Sequence, residues 1–195
     1  MAKERDESEA IHVGRRGFLC WGAASAATLA ALSPTQVWAA ATRLPARSAV
    51  RKIALINPFT GEQVRTEYWE KGRYDNDAIH QIVRIMRDHH NNEMHPVDHR
   101  LIDLMSLIQH HIGHGEPLQV VCGYRSPETN AEMCERSAGV AANSYHMRGM
   151  AIDLRLHKNT QMIYRAASSL RLGGSHYYGH SNFVHVDVGP VRQWA

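Results

Sequence analysis

In two short stretches of the chain, apolar side chains alternate with a second set that contains the polar residues. In residues 150–156, MAIDLRL, apolar side chains alternate with a set that includes Asp153, and in residues 183–188, FVHVDV, valines alternate with a set that includes His185 and Asp187. Successive side chains of a strand point to opposite faces, so each stretch predicts a strand with one buried and one polar face. If the two strands pair, these three polar residues lie on one side of the sheet.

A fourth residue extends this cluster toward a metal site. His146 lies before Asp153, across a turn that contains Gly149, and could fold back over the same face. Two neutral imidazoles and one carboxylate bind catalytic zinc at about 2.0–2.2 Å and leave a fourth position for water, which the metal activates for attack on a polarised carbonyl. The competing interpretation is that His185 is an ordinary surface residue of a strand. Spacing alone leaves both interpretations open.

The elements that must position this cluster follow from periodicity and from turn residues. The sequence predicts strands over 52–57, 63–69, 118–122, 150–156 and 183–188. It predicts helices that begin after Asp75 or Asn76 and after Asp98, one over 127–136 with Ser126 as its cap, and one over 160–172. The first two strands are joined by the turn signal Pro58–Gly61 and predict a hairpin. After this hairpin, helices lead and strands with one further helix follow, which predicts a single-domain α+β fold with a mostly antiparallel sheet and helices packed on one side.

Most of the 14 histidines have an ordinary explanation. His89, His90, His110 and His111 are predicted in the last turns of the first two helices, the first of which Asn91-Asn92 is expected to stop. A cationic ring is favourable at a helix C-terminus. These four are therefore not counted as ligands.

The motif around His146 resembles a known family. Residues 144–153, SYHMRGMAID, fit the SxHxxGxAxD pattern of the zinc peptidases related to D-Ala-D-Ala carboxypeptidases, VanX and the hedgehog signalling domain. Residues 182–187, NFVHVD, resemble the closing strand that carries the second ligand histidine, and residues 123–126, GYRS, resemble a segment that precedes the motif. The resemblance implies a hedgehog/D-Ala-D-Ala-peptidase-like fold and one Zn²⁺ per chain, held by His146, Asp153 and His185.

The resemblance also implies a role for Arg125, whose counterpart holds a carboxylate or carbonyl of the peptide substrate. A planar guanidinium binds such groups in bidentate fashion. The alternative for Arg125 is an ordinary ion pair.

The resemblance does not identify a general base in this chain. Many relatives have Glu or Asp three residues before the last ligand, but Asn182 stands there, and an amide cannot take a proton from a zinc-activated water. Asp187 is the best substitute for the missing general base, although it could equally orient an imidazole. His180 is a second candidate catalytic residue, which would stabilise the developing oxyanion, although it could be a plain surface residue.

The N-terminus is typical of an export signal. Residues 14–19, GRRGFL, resemble a twin-arginine signal, a weakly apolar stretch follows, and residues 37–41 offer small residues to a signal peptidase. We expect a signal peptide over 1–41, a linker over 42–51 and a zinc peptidase domain over 52–195. The protein would then use the twin-arginine translocon and work in the periplasm, or stay anchored to the membrane if the leader is not cleaved.

Composition and cysteine content narrow the functional classes that remain. The net charge of +3 and the absence of a basic run argue against nucleic-acid binding. Removal of the leader leaves Cys122 and Cys134, either as a disulfide or as two buried thiols. The function that the sequence predicts is a peptidoglycan endopeptidase acting on stem peptides and cross-links. The alternatives are a zinc-containing peptidoglycan-binding module without turnover and a D,D-carboxypeptidase.

Overall fold

The computed structural model describes residues 50–113 and 115–193. The predicted leader, most of the predicted linker and Trp194 lie outside these residues, so the division into leader, linker and domain stays a prediction. No helix within the described ranges has both the length and the apolar character needed to cross a membrane.

Eight strands and four α-helices make up the described part of the chain, and the five predicted strands and four predicted helices all form. The strands are β1 Arg51–Ile56, β2 Gln63–Glu70, β3 Arg73–Tyr74, β4 Leu118–Cys122, β5 Ala151–Arg155, β6 Gly174–Tyr178, β7 Phe183–Asp187 and β8 Arg192–Gln193. The helices are α1 Asn76–Ile85, α2 His99–His111, α3 Pro127–Arg136 and α4 Gln161–Leu170, with a 3-10 helix at Tyr145–Arg148. Strands β3, β6 and β8 and the 3-10 helix were not predicted from the sequence.

Helix starts follow the predicted capping residues. The carboxylate of Asp75 accepts from the backbone N–H of Ala78 at 2.9 Å. Asp98 caps α2 and Ser126 caps α3 in the same way. Each side chain satisfies a backbone donor that the first turn leaves unpaired.

The end of α1 corrects one prediction. The helix stops at Ile85, well before Asn91-Asn92, so His89 and His90 lie in the following loop rather than in a last turn. The carbonyl of Met86 accepts a hydrogen bond from the N–H of Tyr124 at 2.7 Å, so it bonds to the segment after β4 and not to a further turn of the helix. His110 and His111 do lie in the last turn of α2.

The sheet is mixed rather than purely antiparallel. Its strand order is β3-β2-β1-β4-β5-β7-β6-β8, and its β1–β4 and β6–β8 pairs are parallel. The connection from β1 to β4 runs through α1 and α2, and such a crossover is what a parallel pair requires. The α+β prediction is therefore confirmed, with these two parallel pairs as its correction.

One hydrophobic core lies between the sheet and three of the helices. Side chains from α1, α2 and α4 pack there on the apolar residues of the strands, including Ile152, Val184 and Val186. Helix α3 adds no residue to this core; its buried residues, Thr129 and Asn130, are polar. The opposite face of β5 and β7 is thereby left for polar side chains.

The pairing between β1 and β4 is short. It joins only Leu55 to Leu118 and Ile56 to Gln119. Earlier along β1, Gln109 of α2 takes the place of a strand partner: its amide donates to the carbonyl of Ala54 at 3.0 Å and accepts the N–H of Ala54 at 2.9 Å. A helix side chain thus satisfies backbone groups that a longer strand would otherwise pair.

Candidate metal centre

Strand register brings the predicted residues onto one row of the sheet. The predicted pairing of the two polar-faced strands is confirmed: Asp153 of β5 stands opposite His185 of β7. Cys122 of β4 stands opposite Asp153 on the other side, and His176 of β6 stands opposite His185. Directly opposite residues share a face of the sheet. One row therefore carries a thiol, a carboxylate and two imidazoles.

His146 reaches this row from the 3-10 helix that precedes β5. The hydroxyl of Ser144 caps that helix, and Gly149 ends it with φ of +62°. A Cβ at Gly149 would lie 2.2 Å from the carbonyl oxygen of Pro96, so close approach of the backbone also requires glycine here. The turn directs the buried His146 ring back over the sheet, as the sequence analysis expected.

Three donor atoms meet at one point. His146 Nε2 lies 3.2 Å from His185 Nδ1, His185 Nδ1 lies 3.0 Å from Asp153 Oδ1, and Asp153 Oδ1 lies 3.3 Å from His146 Nε2. Ligands about 2.0–2.1 Å from a tetrahedral zinc are about 3.3–3.4 Å apart. The three atoms therefore fit one face of a zinc coordination tetrahedron with only small adjustments.

The other nitrogen of each ring is held by a fixed acceptor. His146 Nδ1 lies 2.7 Å from the carbonyl oxygen of Gly123, and His185 Nε2 lies 3.0 Å from Oδ2 of Asp187. Protons on these outer nitrogens leave the inner nitrogens as lone-pair donors. Outer hydrogen bonds of this kind set the tautomer and the orientation of metal-binding histidines.

Charge coupling within the cluster is strong. Burial by itself raises the pKa of Asp153, but His146 and His185 outweigh it and hold that pKa well below its usual value of 3.8. Burial likewise lowers the pKa of His146, while Asp153 and Cys122 raise it to a value well above 6.5. Binding of a metal dication to these side chains would therefore release protons from them.

Asp187 is occupied on both carboxylate oxygens. Besides His185, it accepts from Arg192 Nη1 and Nη2 at 2.9 and 2.7 Å and from the N–H of Gly189 at 2.8 Å. Burial raises its pKa, but the hydrogen bonds, chiefly those from His185 and Arg192, lower it to about 2. A buried carboxylate with a low pKa and no open lone pair is a poor proton acceptor. The geometry therefore favours the orienting role for Asp187 over that of general base.

Arg125 is a buried guanidinium without an anionic partner among the described residues. It is 7% exposed, donates from Nη1 to Asn130 Oδ1 at 3.2 Å and from Nη2 to Cys122 Sγ at 3.5 Å. Its Nε has no hydrogen-bond partner. The ordinary ion pair considered from the sequence is thus not found in the described part of the chain. A buried unpaired cation is costly, which indicates a site for an external carboxylate or carbonyl.

Asn182 and His180 lie away from this network. Both are exposed in the turn between β6 and β7, where Asn182 has φ of +51° and accepts from the hydroxyl of Tyr177. No contact of the described residues links His180 to the three donor atoms. A catalytic role for His180 stays a prediction.

Sequence reasoning missed two members of the row, Cys122 and His176. A donor atom from each of Cys122, His146 and Asp153 forms a group within 4.8 Å. Alternation with the buried Leu118 and Val120 predicts the core face for Cys122, and the register shift between Val120 and Cys122 is what brings it opposite Asp153. His176 could not be placed, because strand β6 was not predicted. Cys122 and Cys134 are both free thiols, so the predicted alternative of a disulfide between them is not found.

Comparison with known proteins gives consistent matches. The family model Peptidase_M15_2, described as peptidoglycan L,D-endopeptidase MepK, matches residues 45–194. Peptidoglycan L,D-endopeptidase MepK of Escherichia coli K12 is 38% identical over 145 residues, which cover 74% of this chain and 80% of that protein. A probable peptidoglycan L,D-endopeptidase MepK of Haemophilus influenzae is 39% identical over 146 residues, 74% of this chain and 78% of that protein.

Proposed function

The chain belongs to the Peptidase_M15_2 family, that of peptidoglycan L,D-endopeptidase MepK, and from this premise we propose that it is a zinc-dependent endopeptidase of peptidoglycan cross-links. The observation that carries the proposal is the meeting of His146 Nε2, Asp153 Oδ1 and His185 Nδ1 within 3.0–3.3 Å of one another. This donor set fits a metal with an open position.

We assign His146, Asp153 and His185 as the residues that would hold zinc. When bound, zinc polarises the scissile carbonyl and lowers the pKa of a water molecule. Gly123 and Asp187 hold the two imidazole rings in place through their outer nitrogens.

Substrate binding falls to Arg125 in this proposal. The guanidinium lies beside the donor set through its contact with Cys122, and its Nε is without a partner. A carboxylate or carbonyl of the peptide stem would complete its hydrogen bonds and neutralise its buried charge. Such a contact fixes the position of the peptide relative to the metal.

A binding module without turnover is the second candidate, and one observation favours it. Asn182 replaces the acid that many relatives carry, and Asp187 is fully occupied by hydrogen bonds. A protein of this kind would hold zinc and bind peptidoglycan without cleaving it.

The deciding experiment compares the wild type with His185→Ala and with the control His80→Ala, an exposed histidine of α1. Zinc content is measured together with mass analysis of muropeptide products. We expect the wild type and the control to hold one zinc and convert cross-linked dimers to monomers, and His185→Ala to lose both properties. Zinc without cleavage would support the binding module, and loss of terminal Ala alone would identify a D,D-carboxypeptidase.

We further propose export to the periplasm through the twin-arginine translocon, which rests on residues 14–19. Replacement of Arg15 and Arg16 by lysine should retain the protein in the cytoplasm. Fractionation with the unchanged leader as control tests this. Periplasmic recovery of the double lysine variant would contradict the proposal.

A further inference from the structure

Cys122 places a sulfur next to the candidate metal centre. It is the cross-strand partner of Asp153, and its Sγ belongs to the group of donor atoms from Cys122, His146 and Asp153 that lie within 4.8 Å of one another. Tetrahedral zinc with sulfur at about 2.3 Å and nitrogen at about 2.0 Å separates those two atoms by about 3.5 Å. The present separation is at most 4.8 Å, so the sulfur has to move by at most about 1.3 Å, which rotation about the single side-chain torsion of cysteine can supply.

Arg125 provides an independent indication at the same place. This side chain is more than nine-tenths buried, its Nη2 donates to Cys122 Sγ, and its Nε has no partner. None of the described carboxylates neutralises it. The fold therefore holds the sulfur of Cys122 directly beside a buried cation.

We propose that Cys122 is a fourth protein ligand of the metal, which closes the site while no substrate is bound. The inference rests on the proposed function, because it assumes zinc on His146, Asp153 and His185. As the sulfur–zinc bond forms, the thiol proton passes to solvent and a solvent ligand leaves. When a substrate carbonyl displaces the sulfur, Cys122 takes up a proton from solvent again, and no oxidation or reduction occurs.

The closed state has two measurable consequences. Four protein ligands hold zinc more tightly than three, and a closed site has no position for the hydrolytic reaction. Cys122→Ser should therefore lower zinc affinity by more than about tenfold, the lower limit that even outer hydrogen-bond partners contribute. It should not abolish hydrolysis at saturating zinc, because the three proposed ligands are retained.

The test uses the full chain loaded with Co²⁺, whose visible bands report coordination and whose near-ultraviolet sulfur-to-cobalt band reports a bound thiolate. The wild type, Cys122→Ser, Cys134→Ser and Cys20→Ser are compared, so that each cysteine of the chain is tested. We expect the sulfur band in every protein except Cys122→Ser. A second measurement needs no variant: zinc should protect Cys122 of the wild type, but not Cys134, from alkylation by iodoacetamide.

Each outcome decides between separate hypotheses. Visible cobalt bands without the sulfur band in the wild type, or a sulfur band that persists in Cys122→Ser, would overturn the role of Cys122 and leave the three-ligand site intact. No cobalt binding at all would overturn the metal centre and the proposed function with it. Equal alkylation of Cys122 with and without zinc would also overturn the proposal, whatever the stability of the serine variant.

Discussion

The Nε2–H of His185 donates a hydrogen bond to Oδ2 of Asp187 over 3.0 Å. The ring is thereby turned so that Nδ1 lies 3.0 Å from Oδ1 of Asp153. Arg192 donates hydrogen bonds from two nitrogens to the same carboxylate, so the group that orients His185 is itself fixed.

Asp187→Asn should weaken metal binding rather than proton transfer. The amide presents a donor to either His185 or Arg192, which misorients the ring, and loss of such an outer partner costs about 10–100-fold in metal affinity. Chelator competition measures this, and excess zinc should restore most of the activity. The control Glu135→Gln alters an exposed carboxylate of α3 and should change neither property. Lost turnover with unchanged zinc affinity would instead identify Asp187 as the general base.

Arg125→Lys should lower kcat/KM by about tenfold or more while zinc content stays unchanged. Lysine keeps the charge but loses the planar fork that binds a carboxylate in bidentate fashion. Steady-state kinetics on a cross-linked muropeptide measures the effect. Arg136→Lys, an exposed position of α3, is the matched control. Unchanged kinetics in Arg125→Lys would remove the residue from substrate binding.

His176→Ala should reduce turnover more than His180→Ala. Register places His176 opposite His185 on the row of the metal centre, whereas His180 is exposed in the β6–β7 turn. A side chain on the row is in a position to contact substrate. Parallel measurement of kcat and zinc content in the two variants tests this. A larger loss of kcat in His180→Ala, with zinc retained, would contradict it and support the catalytic role expected from the sequence.

Gly123→Ala should destabilise the protein and loosen the metal centre together. Its Cβ would lie 2.2 Å from the carbonyl oxygen of Met86, and its own carbonyl holds the His146 ring. Backbone displacement of this kind costs about 1–3 kcal/mol of the free energy of unfolding. Thermal unfolding and zinc affinity should both fall. Gly139→Ala, where the nearest neighbour of the new Cβ would be Ser137 Oγ at 3.6 Å, should leave both unchanged.

Acid should destabilise the fold through Asp88. Burial raises the pKa of Asp88, but hydrogen bonds from Thr129 and from the N–H groups of Ser126 and His90 outweigh it and hold the pKa below its usual value of 3.8. A lowered pKa means that this contribution is complete above pH 3.8 and is lost as the pH falls through the folded-state pKa. Urea unfolding at a series of pH values should therefore show a shallower acid dependence in Asp88→Asn than in the wild type. Equal slopes would contradict the assignment; Asp77→Asn, an exposed acid, is the control.

Much of the fold follows from the sequence because local signals agree with the tertiary structure. Alternation along β5 and β7 predicts the polar face, and Asp75, Asp98 and Ser126 predict the helix starts. Strand β6, with the sequence GSHYY, carries no apolar alternation, and its existence depends on pairing with β7.

The site was predictable where the motif fixes the spacing and not where partners come from distant elements. His146, Asp153 and His185 lie in two short segments of the sequence, so their place on one face could be predicted. The carbonyl behind His146 and the hydrogen bonds around Asp187 depend on backbone that only folding brings together. Cys122 joined the cluster through register between β4 and β5, which no local pattern encodes.

The two-residue ladder that joins Leu55 to Leu118 and Ile56 to Gln119 divides the sheet into two panels. The hairpin strands β1–β3 form one panel, and every proposed metal ligand belongs to the other, on β4, on or just before β5, and on β7. Substitutions far apart without shared partners have additive effects. Among the described residues, the outer hairpin is therefore a region where surface redesign or fusion should leave the chemistry undisturbed.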